Sequence, residues 1–516
     1  MMNTGGRILS NIFSKDPEER FREKLSFQAS GNRVRLLDFS AVDGRLVDSY
    51  VLDLGEMYRP KVYIFDCDGF GYYFVREPGF DGRDRECFEI VLGYLLSSAN
   101  FGEGFGCKDF LEERVLRIVK DAKLDVGLDR VKLFSEIIFR ETSGYGLLEP
   151  LMADDNVSDI SCSAFNQPVL VRHREFSEYN WMVTNVLFSE GELDALVQRM
   201  ASKHGRGVNI LSPASEITTR EGHRIMLTFK NEITLPSSTF SIRKFPKNPW
   251  TIAKLIAYRT LNEDLAAYLW QVLEDRHFII VSGAMGSGKT TLLSTLLQLI
   301  DLRHKILTIE DTAEIALGDR INWQRLITRK SVYSGANDIS LLDLTLLSLR
   351  SSSDYIALGE VRGAEIQALV QAAGTGLGCI TTFHAGSFQE LLSRMKGKPL
   401  SVEDSFLQTI KCIVFLSNVK ASNGKILKKI TSVEEPYVRE DGAFKSNIVY
   451  NYEADGEGVE VDKIVSRSRL FDKARNALTE ACRKKEFLKK IVSLKVYTFE
   501  QLKPLLSRFY GDSFGG

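Results

Sequence analysis

The chain has 516 residues, a length typical of two to four domains, and its 44% hydrophobic and 26% charged residues are the balance of an ordinary globular protein. The formal net charge of −1 argues against strong non-specific binding to nucleic acid, so no specific nucleic-acid partner is expected. No apolar run approaches the roughly 20 residues that span a bilayer, and the first residues lack the apolar core of a signal peptide, which predicts a cytoplasmic protein.

The N-terminal part of the chain predicts an α+β domain over residues 1–142. Between about residues 30 and 75, short apolar runs alternate with Gly and Asp turns, which predicts strands such as Val62–Phe65 and Tyr72–Val75. Residues 85–98 and 109–142 then show the apolar spacing of helices. We expect this domain to bind partners.

A second α+β domain is predicted over residues 143–245. It opens with GYGLLEPLM, and a helical pattern covers Glu190–Ser202. Alternating apolar residues predict strands at the following segments: Asp159–Cys162, Val169–His173, Arg224–Phe229 and Thr239–Phe245.

The segment FPKNPWT predicts a linker at about residues 245–251, because its two prolines break regular structure. From residue 246 to 516, apolar strands alternate with helices, the pattern of an α/β domain with a mostly parallel sheet. Strands are predicted at His277–Ser282, Lys305–Glu310, Tyr355–Gly359 and Cys379–Phe383, with helices at Thr291–Leu299 and Leu341–Arg350. Paired strands at about 412–450 and helices at about 470–492 and 499–508 complete the chain.

A phosphate-binding loop, GAMGSGKT, lies between a predicted strand and a predicted helix and matches the pattern GxxxxGK[ST]. Its glycines let backbone N–H groups face phosphates, and the start of the helix adds a positive dipole end. Lys289 is expected to reach the β- and γ-phosphates, and Thr290 to bind Mg²⁺. The expected cofactors are therefore ATP and Mg²⁺. The predicted nucleotide-binding residues are Gly283, Ala284, Met285, Gly286, Ser287, Gly288, Lys289, Thr290 and Thr291.

An acidic cluster follows the next strand, where ILTIEDTAEI places Glu310, Asp311 and Glu314. In an α/β sheet the carboxyl ends of strands face the ligand crevice. A carboxylate there can orient or deprotonate the attacking water. Taken alone, such a cluster is more often a helix N-cap or a solvated turn, but its position after a phosphate loop favours the catalytic interpretation.

Two more strands end in residues suited to this chemistry. YIALGEVRG ends a strand in Glu360, a carboxylate that can hold Mg²⁺, while Arg362 and Glu365 could instead form a plain surface ion pair. TGLGCITTFHA ends a strand in His384. A lone histidine is more often structural than catalytic, but at this sheet edge it is a candidate sensor of the γ-phosphate.

Two arginines precede the predicted ATPase domain, Arg224 in GHRI and Arg243 in SIRKF. Arginines outside a phosphate-loop domain can act in trans on the nucleotide of a neighbouring subunit, where they stabilise transition-state charge. Without further information, most such arginines are surface residues.

In this order, GAMGSGKTT, IEDTAEI, LGEVRGAE and TGLGCITTFHA resemble the Walker A, Asp box, Walker B and His box of the type II/type IV secretion ATPases. That family includes the motors of type II secretion, type IV pili, the archaeal flagellum and some DNA-transfer machines. The upstream GYGLLEPLM, GHRI and SIRKF are similar to its second N-terminal domain, so the resemblance covers about residues 143–400. YYFVREPGF is most similar to the archaeal branch.

The resemblance implies a RecA-like ATPase domain at residues 246–516, preceded by a PAS-like domain at 143–245. It also implies a homohexamer that works with a polytopic inner-membrane platform protein and, indirectly, with pilin-like or secreted subunits. The catalytic set that it implies consists of Glu310 as the residue that polarises water, Glu360 as the Mg²⁺ partner, Lys289, His384, and the charge-stabilising Arg224 and Arg243.

Three features depart from the family pattern. Leu377 stands where the His box has a histidine, and Ser352-Ser353-Asp354 stands where Arg-Pro-Asp precedes Walker B. The seven cysteines include no CxxC pair, so the tetracysteine zinc module of many bacterial secretion motors is absent, which favours the archaeal, flagellar or conjugation-like branches.

The leading hypothesis is a cytoplasmic hexameric ATPase, peripheral to the membrane, that powers protein secretion or the assembly of a pilus-like or archaellum filament. Two alternatives stay open: a DNA-transfer motor of the same superfamily, and a non-catalytic nucleotide-binding scaffold.

Overall fold

The computed structural model describes residues 44–80, 82–97, 107–329, 338–420, 426–440, 443–471 and 476–511. The chain falls into two compact units, Met1–Phe245 and Pro246–Gly516. The boundary follows Phe245, the first residue of FPKNPWT. The strands predicted from residue 30 can be compared only from residue 44 onwards, and the division of the first unit at residue 143 stays a prediction.

The first unit is built on a nine-stranded sheet with the order β1-β2-β3-β6-β5-β4-β9-β8-β7. Its strands are β1 (Arg45–Val51), β2 (Lys61–Cys67), β3 (Phe70–Arg76), β4 (Val157–Cys162), β5 (Leu170–His173), β6 (Met182–Thr184), β7 (Ala214–Thr218), β8 (Arg224–Thr228) and β9 (Thr239–Arg243). β3 and β6 pair parallel. The other adjacent strands in this order pair antiparallel. Strands from both predicted N-terminal domains therefore share one sheet.

The helices of the first unit are α1 (Gly82–Ser97), α2 (Lys108–Asp121), α3 (Leu128–Thr142), α4 (Glu149–Ala153) and α5 (Glu190–Lys203). The first three share a small apolar core of their own, whereas α5 packs with the sheet. The single helical stretch predicted at 109–142 is two helices, α2 and α3. In α2, Phe110 is 40% exposed, whereas the next residue, Leu111, is buried.

The second unit contains an eight-stranded sheet with the order β12-β11-β13-β14-β10-β15-β16-β17. Its strands are β10 (Phe278–Gly283), β11 (Ile306–Glu310), β12 (Trp323–Ile327), β13 (Tyr355–Leu358), β14 (Gly378–Phe383), β15 (Ile410–Lys420), β16 (Ile426–Val438) and β17 (Phe444–Asn451). The pairs from β12 to β15 are parallel, and β16 and β17 add an antiparallel edge. The predicted α/β class with a mostly parallel sheet is confirmed.

Helices cover both faces of this sheet, because its central strands are apolar on both sides. The helices are α6 (Ile252–Ala257), α7 (Glu263–Glu274), α8 (Lys289–Gln298), α9 (Leu341–Ser348), α10 (Glu365–Gly374), α11 (Phe388–Lys396), α12 (Asp404–Leu407), α13 (Tyr452–Asp455), α14 (Val461–Arg467), α15 (Ala477–Ser493) and α16 (Phe499–Gly511). Residues of α7, α8, α15 and α16 form one core cluster, and residues of α9, α10 and α11 form the other. Within the described ranges, no helix is long and apolar enough to cross a lipid bilayer.

Candidate functional site

The phosphate loop joins the end of β10, Gly283, to the first residue of α8, Lys289. Its three glycines have positive φ angles: 152° at Gly283, 75° at Gly286 and 96° at Gly288. Such angles strain residues that carry a β-carbon. At Gly283 a β-carbon would also overlap the backbone carbonyl oxygen of Leu416 in the neighbouring β15. The loop therefore depends on glycine both for its turn and for its close approach to β15.

The Lys289 side chain is buried inside the loop. Its Nζ donates to the carbonyl oxygens of Gly283 (2.9 Å) and Ala284 (2.8 Å). Burial lowers the pKa of this ammonium, against the opposing effect of the carboxylates of Glu360 and Glu314. An anion bound at the loop would compensate the cost of burying this positive charge. The Lys289 ammonium is therefore suited to bind a phosphate group.

His384, at the end of β14, joins the loop to Glu360. Its Nδ1 lies 3.3 Å from Lys289 Nζ, and its Nε2 lies 3.0 Å from Glu360 Oε1. Burial, and then the charge of Lys289, lower the pKa of the imidazole. These contacts fit a neutral ring that accepts from Lys289 at Nδ1 and donates from Nε2–H to Glu360. The structure thus brings three predicted site residues into one chain of polar contacts.

The alternative surface ion pair between Arg362 and Glu365 is wrong. The Arg362 guanidinium contacts Glu360 Oε2 at 2.6 Å and approaches Asp311 Oδ2 at 3.9 Å. Glu365 is buried, and its Oε1 accepts the backbone N–H groups of Arg362 and Gly363, both at 2.6 Å. Glu365 is the first residue of α10 and satisfies backbone donors there, while Arg362 faces the acidic residues of the site.

Glu310, the last residue of β11, is only 2% exposed. Its Oε1 accepts the backbone N–H groups of Glu314 (2.9 Å) and Ile315 (2.7 Å). Its Oε2 has no hydrogen-bond partner among the described residues. Burial raises the pKa of this carboxyl to about 7, although the two backbone donors and the charge of Arg325 oppose the shift. A carboxyl that titrates near neutral pH is suited to exchange a proton with water.

The remaining loop residues divide into a buried group and an exposed group. Ser287 is buried and donates from Oγ to the carbonyl oxygen of Ala284 (2.9 Å). The exposed loop residues are Ala284, Met285, Gly286 and Thr291. Exposure is compatible with phosphate binding, because the backbone N–H groups of a phosphate loop make the contacts.

Thr290 is the loop residue predicted to bind Mg²⁺, and its Oγ1 lies 3.2 Å from Glu314 Oε2. The parts of the chain that are described contain no group of three or more His, Cys, Asp or Glu residues that could hold a metal. The Thr290 hydroxyl beside the Glu314 carboxylate fits Mg²⁺, which protein side chains typically bind through one or two groups while phosphates and water supply the other ligands.

Arg224 and Arg243 lie in the first unit, at positions that pair across the neighbouring strands β8 and β9. Arg224 forms an ion pair with Glu216, and Arg243 Nε lies 3.4 Å from Asp159 Oδ1. The structure therefore brings these two arginines together. Their contribution to the site stays a prediction.

Two of the three departures from the family pattern lie at the amino ends of strands, whereas the motifs lie at the carboxyl ends. Ser352-Ser353-Asp354 comes before β13 and Leu377 before β14, whereas Glu360 and His384 follow the far ends of these strands. β14 alone, from Gly378 to Phe383, separates these two ends by about 17 Å. Leu377 packs against the apolar core on one face of the sheet, so its apolar character has a structural reason.

Sequence motifs did not mark every residue that contacts the site. Arg394 of α11 donates to the carbonyl oxygen of His384, and its guanidinium lies 5.1 Å from the ring centroid of Phe383. The helical pattern of α11 gives no sign of this contact, because an exposed arginine near a helix C-terminus is common. The contact depends on how α11 packs after β14.

Comparisons with known proteins agree with these motifs. A family model described as type II/IV secretion system protein matches residues 191–440. An uncharacterized protein of Methanocaldococcus jannaschii is 28% identical over 447 residues, covering 84% of this chain and 80% of that protein. Type IV secretion system protein VirB11 of Brucella suis is 28% identical over 216 residues, covering 41% of this chain and 57% of VirB11.

Among solved structures, the Legionella pneumophila ATPase DotB is 20% identical, with a TM-score of 0.40, and the match covers 66% of this chain and 92% of DotB. The family match at residues 191–440 includes all four motifs, in an order and at strand ends that suit them to one site. Residues 191–440 of this chain therefore match the family of type II/IV secretion system proteins.

Proposed function

We propose that this chain hydrolyses ATP and uses the free energy to drive protein secretion or the assembly of a pilus-like or archaellum filament. The observation that carries the catalytic part is the chain of contacts from Lys289 through His384 to Glu360, beside the buried Glu310. The Lys289 ammonium, the His384 imidazole and the two carboxylates lie around one phosphate loop. Such groups can stabilise charge and orient water during transfer of a phosphoryl group to water.

Each side chain has a role in this proposal. Lys289 exchanges its two loop carbonyl oxygens for phosphate oxygens. Thr290 and Glu360 would hold Mg²⁺, which would supply charge neutralisation at the phosphates. Glu310 in its carboxylate form orients the attacking water and accepts its proton. His384 links the phosphate side to Glu360, so that a γ-phosphate at Lys289 alters the contacts of both.

The motor part of the proposal rests on the family match at residues 191–440. We expect a homohexamer in which Arg224 and Arg243 stabilise transition-state charge on a nucleotide bound by a neighbouring subunit. We also expect a polytopic inner-membrane platform protein as partner, with the ATPase bound peripherally on its cytoplasmic side. The name of VirB11, a type IV secretion system protein, supports this class of machine.

Phosphate release from ATP and Mg²⁺ tests the catalytic proposal. Lys289→Ala and Glu360→Gln are each expected to lower kcat about 100-fold or more, because each removes charge stabilisation of the transition state. The exposed Lys398→Ala and Glu403→Gln are matched controls in the same unit and should keep the wild-type rate.

Phosphate release, together with measurements of nucleotide binding and DNA binding, separates the alternatives. Wild-type rates in both site variants would contradict the assignment. Nucleotide binding by the wild-type hexamer without phosphate release would support the non-catalytic scaffold, and salt-resistant DNA binding would support the DNA-transfer motor.

A further inference from the structure

The hairpin formed by β15 and β16 extends beyond the end of β10. Pairing between β10 and β15 ends at Gly283 and Leu416. β15 then continues to Lys420 and stays paired with β16, where Asn418 lies opposite Lys428. The paired residues of this hairpin beyond Leu416 therefore lie past the last β10 residue that pairs with β15. None of the four motifs includes this hairpin.

From this hairpin the Lys428 side chain reaches the phosphate loop. A β-carbon built on Gly288 would lie 3.6 Å from Cδ of Lys428. β16 is two strand spacings, roughly 10 Å, away from β10, so only a long side chain can cover that distance. The hydrocarbon stem of Lys428 thus lies against Gly288, the residue that precedes α8.

The Lys428 ammonium has no hydrogen bond or ion pair within the described part of the chain. Its side chain is exposed, yet burial lowers its pKa with no nearby carboxylate to offset the shift. The side chain is therefore partly shielded by the protein around it and partly open to solvent. Lys429 faces the opposite side of β16, where it is buried and paired with Glu457. Lys429 therefore has a structural partner, and Lys428 does not.

We propose that Lys428 is a second cationic contact, besides Lys289, for the phosphate chain of the bound nucleotide. This inference rests on the nucleotide binding proposed above. A lysine acts as a compact point charge on a flexible stem, so it suits a phosphate chain that the loop has already positioned. Lys428 is a binding residue in this proposal, and Lys289, Glu310 and Glu360 carry the chemistry.

Titration calorimetry of the full chain with ATP and Mg²⁺, and separately with ADP and Mg²⁺, tests the proposal. Lys428→Gln is expected to raise the Kd of both nucleotides about tenfold, the usual effect of losing one charge-assisted hydrogen bond. Lys428→Arg, which keeps the charge and length, should stay within about threefold of wild type. The salt dependence of binding should be shallower in Lys428→Gln, because fewer charges meet the phosphates.

Lys420→Gln is the matched control, since Lys420 is exposed on the same face of the same hairpin, one alternating position farther from the loop. It should leave Kd within about twofold of wild type. An equal loss in both variants would overturn the proposal in favour of general surface charge. The thermal melting of Lys428→Gln should match that of wild type, because the side chain is exposed; a lowered melting temperature would contradict a pure binding role.

The Lys289→Ala variant distinguishes failure of the role proposed for Lys428 from failure of the proposed function. If it loses nucleotide binding while Lys428→Gln keeps wild-type Kd values, the role of Lys428 is wrong and the proposed function stands. If the wild-type protein itself binds neither nucleotide, the proposed function and this inference both fail.

Discussion

Burial distinguishes Glu310 from the other carboxylates at the site. The Asp311 and Glu360 side chains keep 46% and 26% exposure, whereas Glu310 is 2% exposed and its pKa is raised to about 7. Gly359 makes room for it, because a β-carbon there would lie 3.0 Å from Glu310 Cγ. The glycine of the Gly-Glu sequence after β13 therefore leaves the space that the Glu310 side chain occupies.

The raised pKa of Glu310 predicts a pH-dependent stability. Its pKa is about 7 in the folded protein and about 4.5 when unfolded, so between these values the folded state binds the extra proton and stability falls as pH rises. Glu310→Gln removes this titration and keeps the Oε1 acceptor. Relative to the variant, wild type should lose roughly 2–3 kcal/mol of unfolding free energy between pH 5 and pH 8.

Urea unfolding at the two pH values measures this difference, with the exposed Glu403→Gln as control. The control should follow wild type at both pH values. A wild-type minus Glu310→Gln difference that is the same at pH 5 and pH 8 would show that Glu310 does not titrate in this range.

At the scale of elements, the site depends on the connection between β10 and α8. β10 is buried along its whole length and is held by parallel pairing to β14 on one side and β15 on the other. Ser282 Oγ donates to the carbonyl oxygen of Ala385 at 2.7 Å, which ties the start of the loop to the segment after His384. The position of the phosphate loop is therefore determined by β10 and its two neighbouring strands.

This arrangement predicts unequal effects for two glycine substitutions in the loop. Gly283→Ala should lower the unfolding free energy by about 3 kcal/mol or prevent folding, because it combines backbone strain with overlap against β15. Gly286→Ala faces open space and should cost about 1 kcal/mol, from its positive φ alone.

The urea midpoints of the two variants, measured side by side at constant pH, provide the comparison. Equal midpoints would contradict the view that the close approach of β15 makes Gly283 necessary. A loss of nucleotide binding in Gly283→Ala is expected in either case, since the loop would move.

At the scale of the whole molecule, the chain is two units with separate hydrophobic cores. The clusters around β2, β4 and α5, and around α1 to α3, draw their residues from the first unit. The two clusters on the faces of the eight-stranded sheet draw theirs from the second. Each unit thus buries enough apolar side chains to be an independent folding unit.

The separate cores predict that a fragment of residues 246–516 folds alone. It should unfold cooperatively and bind ATP, because the phosphate loop, Glu310, Glu360 and His384 all lie within it. Its ATP hydrolysis should be at least about tenfold slower than that of the full chain, because Arg224 and Arg243 are missing.

Thermal unfolding, nucleotide titration and phosphate release on the fragment measure these three properties. Lys289→Ala in the fragment serves as the control for specific binding. Hydrolysis at the full-chain rate would contradict the role proposed for the two arginines, and a fragment that does not unfold cooperatively would contradict the independence of the cores.

The sequence by itself determined the resemblance of residues 191–440 to type II/IV secretion system proteins, the α/β class of the second unit and the strand ends at which the motifs lie. It could do so because these features are local. The motif GAMGSGKT consists of eight consecutive residues, so its pattern can be read directly from the sequence. The alternation of apolar strands with helices likewise repeats along the chain. A glutamate or histidine at a strand end can likewise be located by counting residues.

The tertiary structure alone decided the chemistry of those residues. The link from Lys289 through His384 to Glu360, the burial that raises the Glu310 pKa, and the reach of Lys428 over Gly288 each join segments far apart in sequence. It also showed that Arg362 faces Glu360 and not Glu365. Burial and distance depend on which strands become neighbours, and that order is set by packing of the whole sheet and not by any local pattern.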